Sequence, residues 1–214
     1  RLDADTTRRK GAHAAILRQF ARGQVQVLVG TQMVAKGLDF PNVTLVGVLS
    51  ADLALNFPDI RSSERTFQLL TQVAGRSGRG EKEGQVIIQS YDPSHFAIAA
   101  AQNHDYLDFY RREIGFRRQL GYPPFRSLTR ILCSGPQRET EDGAGRIRAF
   151  LLRQGFPAGD IFGPAPAPIG RIQGRFRWQI LLKSDGPPSD ILRGLPSVEG
   201  DVQVTIDIDP LFML

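Results

Sequence analysis

Apolar residues recur at helical spacing in some segments and in short continuous runs in others, and their alternation predicts the layout of the chain. Between Arg8 and Arg22, Ala12, Ala15, Ile16 and Phe20 fall on one side of a helix with basic residues between them, and Gly23 supplies a stop. Val25–Val29 reads as a strand ending at Gly30-Thr31, and Val43–Leu49, after Asn42, as a second. Both are expected to be buried. Ser62–Val73 has Phe67, Leu69, Leu70 and Val73 on one side of a helix that runs straight into Gly75-Arg76-Ser77-Gly78-Arg79-Gly80. A strand at Gln85–Gln89 and helices at Ser94–Ala101 and Asp105–Leu120 follow. Strands alternating with helices predict an α/β fold: a parallel sheet flanked by helices, with ligands at the carboxyl ends of the strands.

The pattern changes at Tyr122-Pro123-Pro124-Phe125, where proline ends the helix. Beyond it come a strand at Leu128–Cys133, a helix at Glu139–Arg153, strands near Ile161 and at Trp178–Lys183, a short helix at Ser189–Leu195 and a last strand at Val202–Ile208. Two helices against an antiparallel sheet make a small α+β sandwich of ferredoxin-like kind. The proline-rich piece Gly163-Pro164-Ala165-Pro166-Ala167-Pro168 is too short for a linker and is expected to form a rigid turn between strands. The division is therefore residues 1–104, a helical connector 105–125, and an α+β domain 126–214.

Composition narrows the chemistry. The chain of 214 residues, 41% hydrophobic, is long enough for one large or two modest cores. Lys and Arg number 27 against 22 Asp and Glu, a net charge of +5 and a mild bias toward polyanions. Cys133 is the single cysteine, which excludes an internal disulfide and a cysteine-based zinc cluster and fits a reducing, cytoplasmic setting. His13, His95 and His104 lack ligand spacing and read as surface or structural residues, so no metal site is assigned. No apolar run approaches the roughly 20 residues of a membrane span, and no basic-then-apolar signal segment opens the chain, so a soluble protein is expected. It opens with Arg1 in what reads as mid-domain sequence, as if a longer protein preceded it.

Two segments carry candidate chemistry. In Gln72-Val73-Ala74-Gly75-Arg76-Ser77-Gly78-Arg79, a Gln and two arginines surround glycines at a helix end. Two guanidinium groups so placed can hold nucleotide phosphates and neutralise charge during phosphoryl transfer, and the glycines let the backbone come close. A basic helix C-terminus complementing its dipole would use Arg79 equally well. In Gly30-Thr31-Gln32-Met33-Val34-Ala35-Lys36-Gly37-Leu38-Asp39-Phe40, a hydroxyl and backbone amides at a strand end suit a DNA phosphate, with a carboxylate to orient water or an arginine. An ordinary strand-to-helix turn capped by Asp39 is the alternative.

Taken together, Gly30-Thr31-Gln32…Lys36-Gly37…Asp39-Phe40-Pro41 and Gln72…Gly75-Arg76…Arg79 resemble motifs V and VI of superfamily 2 helicases. In wording and spacing they look most like the primosomal protein N′ family of replication-restart helicases. Arg1-Leu2-Asp3-Ala4-Asp5-Thr6-Thr7, Tyr122-Pro123-Pro124-Phe125, Gly163-Pro164-Ala165-Pro166 and Arg175-Phe176-Arg177-Trp178-Gln179 extend the resemblance over nearly the whole chain. It implies that residues 1–104 are the latter part of a second RecA-like lobe. Arg79 would be the arginine finger to ATP, Arg76 a second phosphate contact and Gln72 their support. Thr31, with Gln32 and Lys36, would touch the DNA backbone, while Gly37 and Asp39 couple ATP state to DNA.

The Gly-rich phosphate loop ending in Lys-Ser or Lys-Thr and the acidic metal-holding box, both first-lobe features, are absent from the sequence. The chain alone is therefore expected not to hydrolyse ATP, with ATP and Mg2+ bound mainly by a preceding lobe and zinc in an upstream insertion. Arg171, Arg175, Arg177 and Lys183 around Trp178 suit a phosphate-contacting surface or an acidic peptide tail, or else a solvated strand face over a core Trp178. Arg111-Arg112 and Arg117-Arg118 carry the same pair of readings. The resemblance favours fork DNA, with Arg175 and Arg177 as contacts, together with single-strand DNA-binding protein and primosome-loading partners in the bacterial cytoplasm at the nucleoid. The alternatives are a restart adaptor without a motor, and another superfamily 2 helicase such as a fork-reversal enzyme, which the C-terminal matches disfavour.

Overall fold

A computed structural model describes residues 1–2, 11–31, 40, 42–75 and 84–213. The chain divides into two compact units, one of Arg1–Phe57 with Ser62–Arg111 and the other of Pro58–Arg61 with Arg112–Leu214.

In the first unit, helix α1 (Ala12–Ala21) follows the spacing of Ala12, Ala15, Ile16 and Phe20, and Gly11 precedes it with a positive φ of 86°. None of its residues is fully buried, but Ala12, Ile16, Leu17 and Phe20 are partly so, and Phe20 is set edge-on to Phe40 at 4.9 Å. Strand β1 (Leu45–Val48) pairs in parallel with β2 (Gln85–Ile88), Leu45 opposite Gln85 and Val48 opposite Ile88. After β1 comes the one-turn helix α2 (Asp52–Leu55), then α3 (Ser62–Ala74), and after β2 come α4 (Phe96–Gln102) and α5 (Tyr106–Leu120). Phe67 and Leu70 of α3 meet Ala97, Ile98, Ala100 and Ala101 of α4 and Phe109 of α5 in one buried cluster. The alanines bring the α4 backbone close to its neighbours, and the Phe67 and Phe109 rings stack at 4.3 Å. His95 caps α4, its Nδ1 accepting the Ala97 N–H at 3.2 Å, which gives that histidine a structural role and explains why the helix starts at Phe96.

Two expectations fail here. Val25–Val29 forms no strand: its end makes only an isolated parallel bridge, Leu2 with Gly30, and Val27 and Val29 are 71% and 60% exposed. The Val43–Leu49 run does contain β1, yet Leu45 is 56% and Leu49 77% exposed, so it is not a buried strand. A strand is fixed by its neighbours, and parallel strands are buried only when both sheet faces are covered. Among the described residues this sheet has two strands.

The second unit runs β3 (Ser127–Gly135), α6 (Gln137–Arg153), a 3-10 turn at Ala158–Asp160, β4 (Ile161–Ile172), β5 (Arg175–Ser184), α7 (Ser189–Arg193) and β6 (Gln203–Ile208). The sheet is antiparallel throughout, in the order β4-β5-β3-β6. Alternation along the strands sends Ile131, Cys133, Ile180 and Leu182 to one face. There they meet Ala144, Ile147 and Leu151 from one stripe of α6 and Leu192 of α7, while Trp178 packs against the same core. Cys133 lies in this core, and burial pushes its thiol pKa up to about 11.

The proline-rich piece is not a turn between strands. Gly163–Pro168 lies inside β4, whose pairing with β5 shifts register between Phe162 and Ala165 and again between Pro166 and Arg171. Proline is tolerated there because β4 is the edge of the sheet, where one side of the strand needs no donors. The turn is instead Gln173-Gly174, both at positive φ, joining Ile172 to Arg175.

Candidate functional site

The carboxyl ends of β1 and β2 are joined by one carboxylate. Asp52, buried at the start of α2, accepts the Ser90 hydroxyl at 2.6 Å and the backbone N–H groups of Tyr91 and Asp92 at 2.9 and 3.3 Å. The Ser90 bond, helped by those amides, holds its carboxyl below the usual aspartate range. The sequence reading missed Asp52. Its signal was a carboxylate three residues after an apolar run, at the start of a new helix.

Helix α3 leads to the first candidate segment. Thr66 donates its hydroxyl to the Ser62 carbonyl at 2.8 Å, Phe67, Leu70 and Val73 are buried, and Gly75 N–H bonds back to Thr71 at 3.1 Å. Gln72 is half-buried in the last turn. Arg76 and Arg79 lie outside the described residues. In the second segment Thr31 is exposed directly after the Gly30 bridge, while Gln32, Lys36, Gly37 and Asp39 lie outside the described residues. Among the described residues no group of three or more His, Cys, Asp or Glu is placed to hold a metal ion.

The basic side chains around Trp178, namely Arg171, Arg175, Arg177 and Lys183, have protein partners. Arg175 grips Asp201 through Nη1 at 2.7 Å and reaches the carbonyls of Ser134 and Asp201 at 2.8 Å, and the pairing holds the Asp201 carboxyl below its ordinary value. Arg177 is 7% exposed and donates to the Ile169 carbonyl at 3.3 Å. Burial, then the nearby Arg130, disfavours its charged form. Lys183 donates to the Leu120 carbonyl at 2.6 Å with its ammonium 4.2 Å from the Tyr122 ring centre. Arg171 lies over the Phe176 ring at 5.0 Å. On α5, Arg117 pairs with Glu113 at 2.7 Å and Arg118 lies over Phe125 at 4.9 Å, while Arg111 and Arg112 are exposed. Arg126 forms a two-pronged pair with Asp160 at 2.7 and 2.8 Å, which lowers the Asp160 pKa.

Residues 2–81 match the model of the helicase conserved C-terminal domain, and residues 118–211 match that of the primosomal protein N C-terminal domain. The replication restart protein PriA of Bacillus subtilis is 45% identical over all of this chain, and that of Synechocystis is 50% identical over 99% of it. Over its whole length the chain matches a C-terminal part of PriA. The PriA of Haemophilus influenzae is also similar, 35% identical over 98% of the chain. The chain spans 28%, 26% and 30% of these three relatives' own lengths. Both PriA-type segments fall in the first matched region, and Arg175 and Arg177 in the second.

Proposed function

We propose that this chain is the C-terminal part of an ATP-dependent 3′-to-5′ DNA helicase that restarts replication and assembles primosomes at stalled forks. The observation that carries the reading is the succession, in one chain, of a helicase-type region and a primosomal C-terminal region. Arg79 is the finger that reaches ATP, Arg76 a second phosphate contact and Gln72 their support, with Gly37 and Asp39 linking nucleotide state to DNA. ATP and Mg2+ are held mainly by a preceding lobe and zinc by an upstream insertion, so this chain alone does not turn over ATP. Bound ATP supplies the phosphoryl group whose transfer drives unwinding. What Arg76 and Arg79 contribute is fixed positive charge at the phosphates, in a lobe whose α3 core keeps the preceding helix rigid.

Thr31, Gln32 and Lys36 contact the DNA backbone. Arg175 and Arg177 are our further DNA contacts, each exchanging a protein partner, Asp201 or the Ile169 carbonyl, for a phosphate. The β-α-β-β-α-β order of the second unit, with α6 and α7 contributing to one core, supports a ferredoxin-like sandwich there. Single-strand DNA-binding protein and primosome-loading proteins are its partners, in the bacterial cytoplasm at the nucleoid. No described helix is long and apolar enough to cross a membrane.

The deciding experiment compares forked-DNA-stimulated ATPase of the full-length protein with that of its Arg79→Ala variant. A loss of about 10³-fold in turnover places Arg79 as the finger. Tight fork binding without turnover in the wild type replaces the motor with a non-enzymatic adaptor.

A further inference from the structure

On the sheet face opposite the one that α6 covers, the antiparallel registers set Arg130, Leu132 and Ser134 of β3 beside Leu181, Gln179 and Arg177 of β5, with Asp207 of β6 opposite Arg130. Two of these residues are arginines buried like core residues, Arg130 at 6% and Arg177 at 7% exposure. Their partners differ. Arg130 donates through Nη2 to the Asp207 carboxylate at 2.7 Å. Arg177 donates to the Ile169 carbonyl at 3.3 Å, and among the described residues no carboxylate pairs with it. Burying a charge without a counter-charge costs more than one bond to a carbonyl returns, so buried guanidinium groups ordinarily have an anion beside them.

The edge strand bulges at the same place. β4 and β5 pair at Pro166 with Trp178 and again at Arg171 with Phe176, so the four residues Ala167–Gly170 of β4 stand opposite Arg177 alone. An ordinary bulge sets two residues against one, and bulges at sheet edges commonly lie beside functional sites. This arch brings the Ile169 carbonyl to the guanidinium, and Ile169 itself is 39% exposed, so the arch borders solvent. Two residues along β5, on the same face, Gln179 has its Oε1 buried without a hydrogen bond among the described residues. Turned over, that carboxamide sets two N–H donors in the same position.

We infer that Arg177, roofed by the Ala167–Gly170 arch and followed on its face by Gln179, is a binding site for a phosphate oxyanion, with Arg130 as a second positive charge on that face. A guanidinium fork matches two oxygens of a phosphate, and the phosphate takes the place of the Ile169 carbonyl. Burial, and then the neighbouring Arg130, disfavours the charged form of Arg177, so an anion there relieves an existing cost. The choice of phosphate rests on the reading of Arg177 as a DNA contact given above, whereas the site itself rests on the buried guanidinium and the bulged edge strand. Two sources share this chemistry, a phosphate of the DNA backbone and free inorganic phosphate.

The test compares the full-length protein with its Arg177→Met and Gln179→Leu variants. Amide hydrogen exchange is read over Arg175–Gln179 in inorganic phosphate and in acetate at equal ionic strength. Phosphate at about ten times its Kd should raise protection there roughly tenfold in the wild type, about threefold less in Gln179→Leu, and not at all in Arg177→Met. Without added phosphate, Arg177→Met should keep wild-type protection or exceed it, because it removes an uncompensated buried charge. Forked-DNA binding is then titrated against salt. Arg177→Met should bind about tenfold more weakly on unrelated sequences, with the salt slope reduced by about 1. A phosphate response with unchanged fork binding assigns free phosphate to the site, and a fork loss with the reduced slope assigns a backbone phosphate. Acetate acting as well as phosphate, no response in either arm, or a fork loss without a change in slope overturns the proposal. So does lower protection of Arg177→Met without any added anion, which makes the guanidinium a structural strut. Wild-type protein that binds no forks sinks the DNA reading, and the phosphate measurement still decides the site.

Discussion

The two units carry similar secondary structure and treat it differently. In the second, Ile131, Cys133, Ile147, Leu151, Ile180 and Leu182 are fully buried, because α6 and α7 cover one face of a four-stranded sheet. In the first, the helices α3, α4 and α5 bury their apolar sides against each other, while Leu45 and Ile87 of the parallel pair, and Leu49 just after β1, remain more than half exposed. Helix packing can be completed by segments close in sequence, whereas a parallel sheet is completed only by non-local strands and by cover on both faces. Apolar runs at Val25–Val29 and Val43–Leu49 thus mean something different from equally apolar residues in β3 and β5.

The sharpest way to break this contrast is truncation in each unit. Leu151→Ala should cost the second unit about 3 kcal/mol, transfer and cavity terms together, read as a lower urea midpoint for that unit. Cys133 provides a local probe: its buried thiol, with pKa near 11, should resist alkylation at pH 8 in the wild type and react faster in this variant. Next in size is Gly135→Ala. A Cβ there would run into the Asp201 carbonyl and lie 3.1 Å from the Thr140 hydroxyl, and the overpacking should destabilise by about 2 kcal/mol in the same titration.

Acid acts on both units, through Asp52 in the first and Asp160 and Asp201 in the second. Asp160 and Asp201 have lowered pKa values in the folded second unit, so their stabilising effect is fully present above the unfolded value of 3.8 and is lost as pH falls through the lower folded values. Unfolding of this unit should therefore steepen below about pH 4, and Asp160→Asn should flatten that dependence while lowering neutral-pH stability by about 1 kcal/mol, followed by tryptophan fluorescence of Trp178. The smallest effect is expected from Val29→Ala, within about 0.5 kcal/mol because that side chain is already 60% exposed. A loss as large as that of Leu151→Ala would show that Val29 is buried in solution.

How much of this was readable in the sequence depended on whether the determining contacts were local. The α3 helix starts at Ser62, as the spacing of Phe67, Leu70 and Val73 predicts, and β3, α6, β5 and β6 fall within a few residues of their expected positions. The strand at Val25–Val29 was misread because apolar runs report hydrophobicity and not the presence of a neighbour. Gly163–Pro168 was misread because proline marks a turn only where both sides of a strand need donors, and edge position is a property of the finished sheet. At the candidate site, residue types were legible and partners were not. Nothing in the local sequence around Arg175 announces Asp201, 26 residues away, or around Asp59 announces Met213, 154 residues away. Asp52 went unnoticed for the same reason, since Ser90 and Tyr91 lie 38 and 39 residues on.

The prolines of β4 have a consequence for how copies of this protein meet in a crowded cell. Pro164, Pro166 and Pro168 occupy alternate positions on an edge strand, and each lacks the N–H that an incoming strand would need as a donor. That border of the sheet is chemically blunted against strand-by-strand growth between molecules. The opposite border, β6, carries no proline.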